Sequence, residues 1–130
     1  MKNPEFLDVD DVMALHGVTL DEHGGQSGIR DRGMLESAVA TPSATFDGEF
    51  LHEDLFAMAA AYAFHIAENQ PFIDGNKRAA VGAALVFLDV NDAEIPEATE
   101  ALYEAMIGFA TRRLGKSGLA QLLRDLASKE

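Results

Sequence analysis

Two alanine-rich apolar segments, separated by only six residues, constrain this chain more than any other feature. The first, "EDLFAMAAAYAFHIAEN" from Glu53 to Asn69, is apolar nearly all round and opens with acidic residues, where a helix dipole favours them. The second runs from Asn76 to Val90 and contains "AAVGAALVFL". A helix that is apolar on every side has to be buried. The link from Gln70 to Gly75 is short enough to make the two antiparallel neighbours, and their alanines let the backbones approach closely. The expectation is an all-α fold, a compact helical bundle around a central buried helical hairpin.

The remaining pattern agrees. In "LDVDDVMALHG", Asp8 is placed to cap a helix whose Val9, Val12 and Met13 share a face, with Gly17 as the stop. "DEHGGQSGIRD" reads as a glycine-rich loop. Asp31 can cap "RGMLESAVA", with Leu35, Ala38 and Val39 on one face, before Thr41-Pro42 ends it and "TPSATFDGEF" forms a second loop. Ala98, Ala101, Leu102, Ala105, Met106 and Phe109 repeat at helical spacing, and Leu119, Leu122, Leu123 and Leu126 do the same for a last helix. Apart from a short "AEIP", no strand pattern competes. With no repeat or linker, residues 1–130 read as one domain.

The formal net charge is -12, which opposes nucleic-acid backbones and anionic lipid as partners through bulk electrostatics. The absence of cysteine removes disulfides, thiol catalysis and Cys-ligated metals together, and fits a reducing cytoplasm. The longest apolar run, Ala79 to Leu88, is too short to span a bilayer, and the N-terminus lacks a signal-peptide core. Cytoplasmic location is the expectation.

The turn between the two central helices, "QPFIDGNKR", carries unusual chemistry for a buried connection. Gly75 lets peptide N–H groups approach a ligand, and the first turn of the following helix offers unpaired N–H groups at a positive dipole end. Lys77 and Arg78 are unfavourable at that end, so an anion would relieve them. Asp74 could hold a magnesium ion that also binds phosphate oxygens, and Asn76 can donate or accept beside it. The plainer alternative is a turn in which Asp74 caps the helix and the two cations are solvated or paired with some of the 22 acidic residues.

This turn resembles the signature loop of the Fic/Doc (Fido) superfamily, His-x-Phe-x-Asp/Glu-Gly/Ala-Asn-Gly/Lys-Arg, with eight of nine positions suiting the pattern. "GGQSGIRDRGMLESAVATP" and "AAVGAALVFLDVN" are also similar to the flanking segments of its death-on-curing (Doc) toxins, so the resemblance covers about Leu7 to Leu126. The resemblance implies a nucleotide such as ATP at the loop, Mg²⁺ on Asp74, an anion hole from the Gly75 and Asn76 backbone, and phosphate contacts from Lys77 and Arg78. Adenylyl-transferring members usually have Gly at the position of Lys77 and Arg at that of Val81. The chain thus sides with Doc toxins, which implies phosphoryl transfer to a Ser or Thr hydroxyl of a target protein, elongation factor Tu by resemblance, and restraint by an antitoxin protein. "TFDGEF" falls one residue short of the inhibitory-helix pattern of many Fic enzymes.

The departure is Gln70, which stands where the family has its general-base histidine. Loss of such a base costs ~10²–10⁴ in rate, yet phosphoryl transfer depends mainly on positioning and charge stabilisation, so glutamine could leave slow activity. The alternative is a catalytically dead member that binds nucleotide or a protein. No other histidine replaces it on spacing. His65 points about 140° away from Gln70 on its helix and reads as a core or groove residue. His16, His23 and His52 read as surface residues, and Arg30, Asp31 and Glu36 as capping and pairing groups.

Overall fold

In a computed structural model, which describes residues 3–93, 95, 108 and 115–127, the chain folds around the expected hairpin. Five α-helices are present among the described residues: α1 (Val9–His23), α2 (Arg32–Ala40), α3 (Leu55–Asn69), α4 (Asn76–Val90) and α5 (Gly115–Ala127). The expected amphipathic helix through Ala98 and Phe109, and "AEIP" beside it, lie outside the described residues or are only partly within them. No helix among the described residues is long and apolar enough to cross a membrane.

Helix α3 is the centre. It packs against α4, α5 and α2, and α1 lies on α4. The alanines do what their size suggests: Ala59, Ala60, Ala61 and Ala63 of α3 and Ala79, Ala80, Ala83 and Ala84 of α4 are fully buried. Larger side chains fill the space around this seam, with Tyr62, Phe72 and Phe87 among the largest that are enclosed. The Tyr62 hydroxyl accepts from the Leu7 N–H at 2.8 Å and donates to its carbonyl at 3.2 Å, fastening the N-terminal segment to α3. Burial pushes that phenol up to about 12.

The caps form where acidic residues precede apolar periodicity. Asp8 and Asp11 bond reciprocally to each other's backbone N–H groups at 2.8 and 2.9 Å, a capping box. Asp31 accepts from Met34 N–H, and Asp54 caps α3 through Ala57 N–H. Arg124 then reaches from α5 to both oxygens of Asp54 at 2.8 and 3.2 Å, so one carboxylate joins two helices.

Two expectations need correction. Gly17 does not end α1, which continues to His23 and closes at Gly24. A glycine inside a helix costs about 1 kcal/mol, which does not stop this one: past it Thr19 is buried on the face that already carries Val12 and His16. The "TPSATFDGEF" segment is also more than a loop. Its Thr45–Phe46 and Glu49–Phe50 pair as a two-residue antiparallel hairpin around Asp47-Gly48, a favoured hairpin dipeptide.

Candidate functional site

Helix α3 ends at Gln70, whose backbone is left-handed at φ 47 and ψ 57. That conformation reverses the chain and is fixed from outside: Arg30 donates from Nε to the Gln70 carbonyl at 2.7 Å and from Nη2 to the Asn69 carbonyl at 2.8 Å. The glycine-rich segment before α2 is stitched to the turn in the same way. Arg30 and Asp31 N–H groups donate to the Pro71 carbonyl, and Ile73 N–H donates to the Gly28 carbonyl, with Ile29 bridging Phe72. The turn is therefore held at several points along its length.

Phe72 is the anchor inside, 2 % exposed, with the ring of His16 stacked on it at 3.7 Å and 5°. His16 is not a surface residue as its spacing suggested. Its Nε2–H donates to the Asp74 carbonyl at 2.7 Å, so a buried imidazole sets the peptide that leads into α4. The side chain of Asn76 is equally committed. Its Oδ1 accepts from Phe72 N–H and its Nδ2 donates to the Phe72 carbonyl, both at 2.9 Å. For a ligand Asn76 keeps its backbone N–H, with one Oδ1 lone pair and one Nδ2 hydrogen besides.

Helix α4 begins at Gly75, left-handed at φ 77 and with no side chain accepting from the first turn. The N–H groups there are those a phosphate can take. Asp74 does not cap this helix in the usual way. Its Oδ1 accepts from the adjacent Gly75 N–H at 2.9 Å and its Oδ2 from Gln26 N–H at 3.1 Å, across from the glycine-rich segment. A Cβ on Gly25 would come within 2.9 Å of that Oδ2, so only glycine admits the approach.

These residues line one cleft of about 780 Å³, whose wall carries Gln70, Asp74, Gly75, Asn76, Lys77 and Arg78 together. The sequence reading missed the opposite wall, formed by the end of α1: Thr19, His23 and Gly24. The Arg78 Nη1 lies 3.3 Å from His23 Nε2 across the opening. The signal for these residues was the α1 periodicity past Gly17, which carries His23 to the helix end.

No group of three or more His, Cys, Asp or Glu able to enclose a metal exists among the described residues. A fully protein-ligated ion therefore does not fit. Mg²⁺ does, because it usually takes one or two carboxylates and completes its shell with water and phosphate oxygens. Asp74 is exposed, and each of its oxygens keeps a lone pair after the single bond described.

The other histidines lie away from this cleft. His65 accepts at Nε2 from Lys116 Nζ at 3.0 Å, and burial, the nearby Lys116 and His52 push it down to about 4. His52 has its Nδ1 enclosed without a bonding partner and is likewise lowered, mainly by burial. His65 fits the groove position expected of it, whereas His52 is half-buried rather than a surface residue.

The chain matches the model of the Fic/DOC family over residues 6–88, an interval that contains every cleft residue named above. It is 38% identical over 91 residues to a protein named Toxin Doc from Mycolicibacterium smegmatis, a match covering 70% of this chain and 68% of that protein. It is 32% identical over 117 residues to Protein kinase doc of Escherichia phage P1, which covers 90% of this chain and 91% of that one.

Proposed function

Because the chain belongs to the Fic/DOC family and is a relative of Doc toxins, we propose that its cleft binds a magnesium-nucleotide, ATP or another nucleoside triphosphate, and directs its terminal phosphoryl group to a Ser or Thr hydroxyl of a target protein. On this reading the protein is the toxin of a toxin–antitoxin pair, a single domain acting in the cytoplasm and restrained by an antitoxin protein. The resemblance makes elongation factor Tu the first target to test. The observation that carries the proposal is the start of α4: a first turn with no side-chain cap, the Asn76 N–H at its head, and two cations, Lys77 and Arg78, at the positive end of a helix dipole.

The residues divide the work as follows. The backbone at Gly75 and Asn76 is the anion hole of this reading: Asn76 offers its N–H to phosphate oxygens, and the Gly75 N–H, bonded to Asp74 Oδ1 at 2.9 Å, ties that hole to the carboxylate. The Arg78 guanidinium, charged at any accessible pH, and Lys77 oppose the negative charge spread over the transferring group. Asp74 would hold Mg²⁺, which neutralises phosphate charge when bound. Asn76 and His16 keep the turn in shape from behind. A relative named a protein kinase, and lysine rather than glycine at position 77, favour phosphoryl over nucleotidyl transfer.

Gln70 favours a second reading, a nucleotide- or protein-binding module without catalysis, because an amide cannot take a proton near neutral pH. Calorimetry with Mg-ATP, combined with transfer of labelled phosphate to purified elongation factor Tu, separates the two. Binding with transfer is the expected result, and Arg78→Ala should weaken the binding. Binding without transfer to any target would favour the module. Equal binding by wild type and Arg78→Ala, or none in either, would remove the phosphate cradle.

A further inference from the structure

The peptide that joins Asp74 to Gly75 stands at the start of the phosphate cradle, and two orientations are open to it. Gly75 has φ 77 and ψ 18, the values of the third residue of a type II turn. Turning the preceding peptide over gives the type I form, with φ of about −90° at that residue, and glycine accepts both. The two forms differ in what faces the cleft. In a trans peptide the carbonyl and the N–H point in opposite directions, so when one lies towards the core the other lies towards the opening. Here the Asp74 carbonyl lies inward, 2.7 Å from Nε2 of His16. The Gly75 N–H lies on the side of the Asp74 carboxylate, whose Oδ1 accepts from it at 2.9 Å. The other fasteners of the turn grip different peptides: Arg30 takes the carbonyls of Asn69 and Gln70, and the Asn76 side chain takes the N–H and carbonyl of Phe72.

His16 has the chemistry and the rigidity to hold this one. A carbonyl only accepts, so Nε2 carries the hydrogen. The imidazole is 5% exposed and lies flat on Phe72 at 3.7 Å and 5°, which fixes the direction of its N–H. Gly75 sits against the ring edge, where a Cβ would come within 3.4 Å of Nε2 and 3.6 Å of Cδ2. Resting on the phosphate-binding reading above, we propose that His16 is a positioning residue of the cleft, selecting the orientation of the Asp74–Gly75 peptide that keeps a carbonyl oxygen out of the anion hole. Turned over, the peptide would set the Asp74 carbonyl on the cleft side, near the Asn76 N–H, where its negative end repels a phosphate. The Gly75 N–H would leave the Asp74 carboxylate at the same time, and the hole would lose its tie to that side chain. His16 touches neither nucleotide nor target and acts through the peptide alone.

Two substitutions separate the donor from the ring. His16→Phe keeps a ring against Phe72 and loses the N–H, whereas His16→Gln loses the ring and keeps an amide N–H at similar reach. Calorimetry with Mg-ATP should show affinity at least about tenfold weaker for His16→Phe and within about threefold of wild type for His16→Gln. NMR reads the peptide directly, because the Overhauser contacts of the Gly75 N–H to the Asp74 Hα and to the Asp74 N–H exchange in strength when that peptide turns over. They should exchange in His16→Phe and stay as in wild type in His16→Gln. Wild-type affinity and contacts in His16→Phe would overturn the proposal. So would a loss of about tenfold in His16→Gln, which would make the ring and not the donor the requirement. If His16→Phe does not fold, the glutamine variant decides by the same two measurements. Wild type that binds no Mg-ATP removes the cradle itself and the proposal with it, a result distinct from failure of either variant.

Discussion

Lys116 donates its ammonium hydrogen to Nε2 of His65 at 3.0 Å, joining the first turn of α5 to the middle of α3. The bond exists only while His65 is neutral. Burial, first, and then the charge of Lys116 and the proximity of His52 lower its pKa from 6.5 to about 4. Between these two values the unfolded chain binds a proton that the folded one refuses, so stability rises with pH across this window and falls as pH drops from 6.5 towards 4. His65→Gln keeps an acceptor for Lys116 and cannot titrate. Urea midpoints measured from pH 7 to pH 4 should therefore fall more steeply for wild type than for His65→Gln. Parallel curves would mean that His65 is not held neutral by the fold.

Asn76 provides a stability test of the turn. Substitution by alanine leaves the Phe72 N–H and carbonyl without their two 2.9 Å partners in a half-buried place. The expected cost is roughly 1–3 kcal/mol in urea unfolding, with weaker Mg-ATP binding because the backbone at Gly75 is no longer fixed. A variant as stable as wild type would show that the side chain is not what shapes the loop.

Asp74 should behave in the opposite way. Its bonds are to Gly75 and Gln26 N–H groups in an exposed position, so Asp74→Ala should cost at most ~1–2 kcal/mol of stability. The magnesium dependence of nucleotide binding should disappear. Collapse of the fold with unchanged metal dependence would make Asp74 a structural residue only.

The part of this arrangement that could be read from sequence is the part set by local pattern. The all-round apolar character of α3 and α4 requires burial whatever the neighbours are, and Asp8 and Asp31 precede their helices at positions where a carboxylate has an obvious bond to make. The end of α1 was less legible because past Gly17 the helix is accompanied by burial of Thr19, a tertiary contact that the local cost of glycine does not reveal. That error concealed the far wall of the cleft and with it His23. The burial of His16 was hidden for a related reason. Its partners, Phe72 and the Asp74 carbonyl, are more than fifty residues away in sequence, and nothing near His16 announces a ring stacked on another ring.

The left-handed backbone at position 70 bears on how such a site can change over time. Residues branched at Cβ are strained there, whereas histidine is among those that tolerate the conformation and glutamine already occupies it. The codons for glutamine and histidine differ only in their third base, and Arg30 grips the carbonyls of residues 69 and 70 whichever side chain is present. A lineage can therefore exchange one for the other by a single point mutation without first losing the fold. Descent can move in either direction between an armed and an altered cleft, with the backbone setting which substitutions are open.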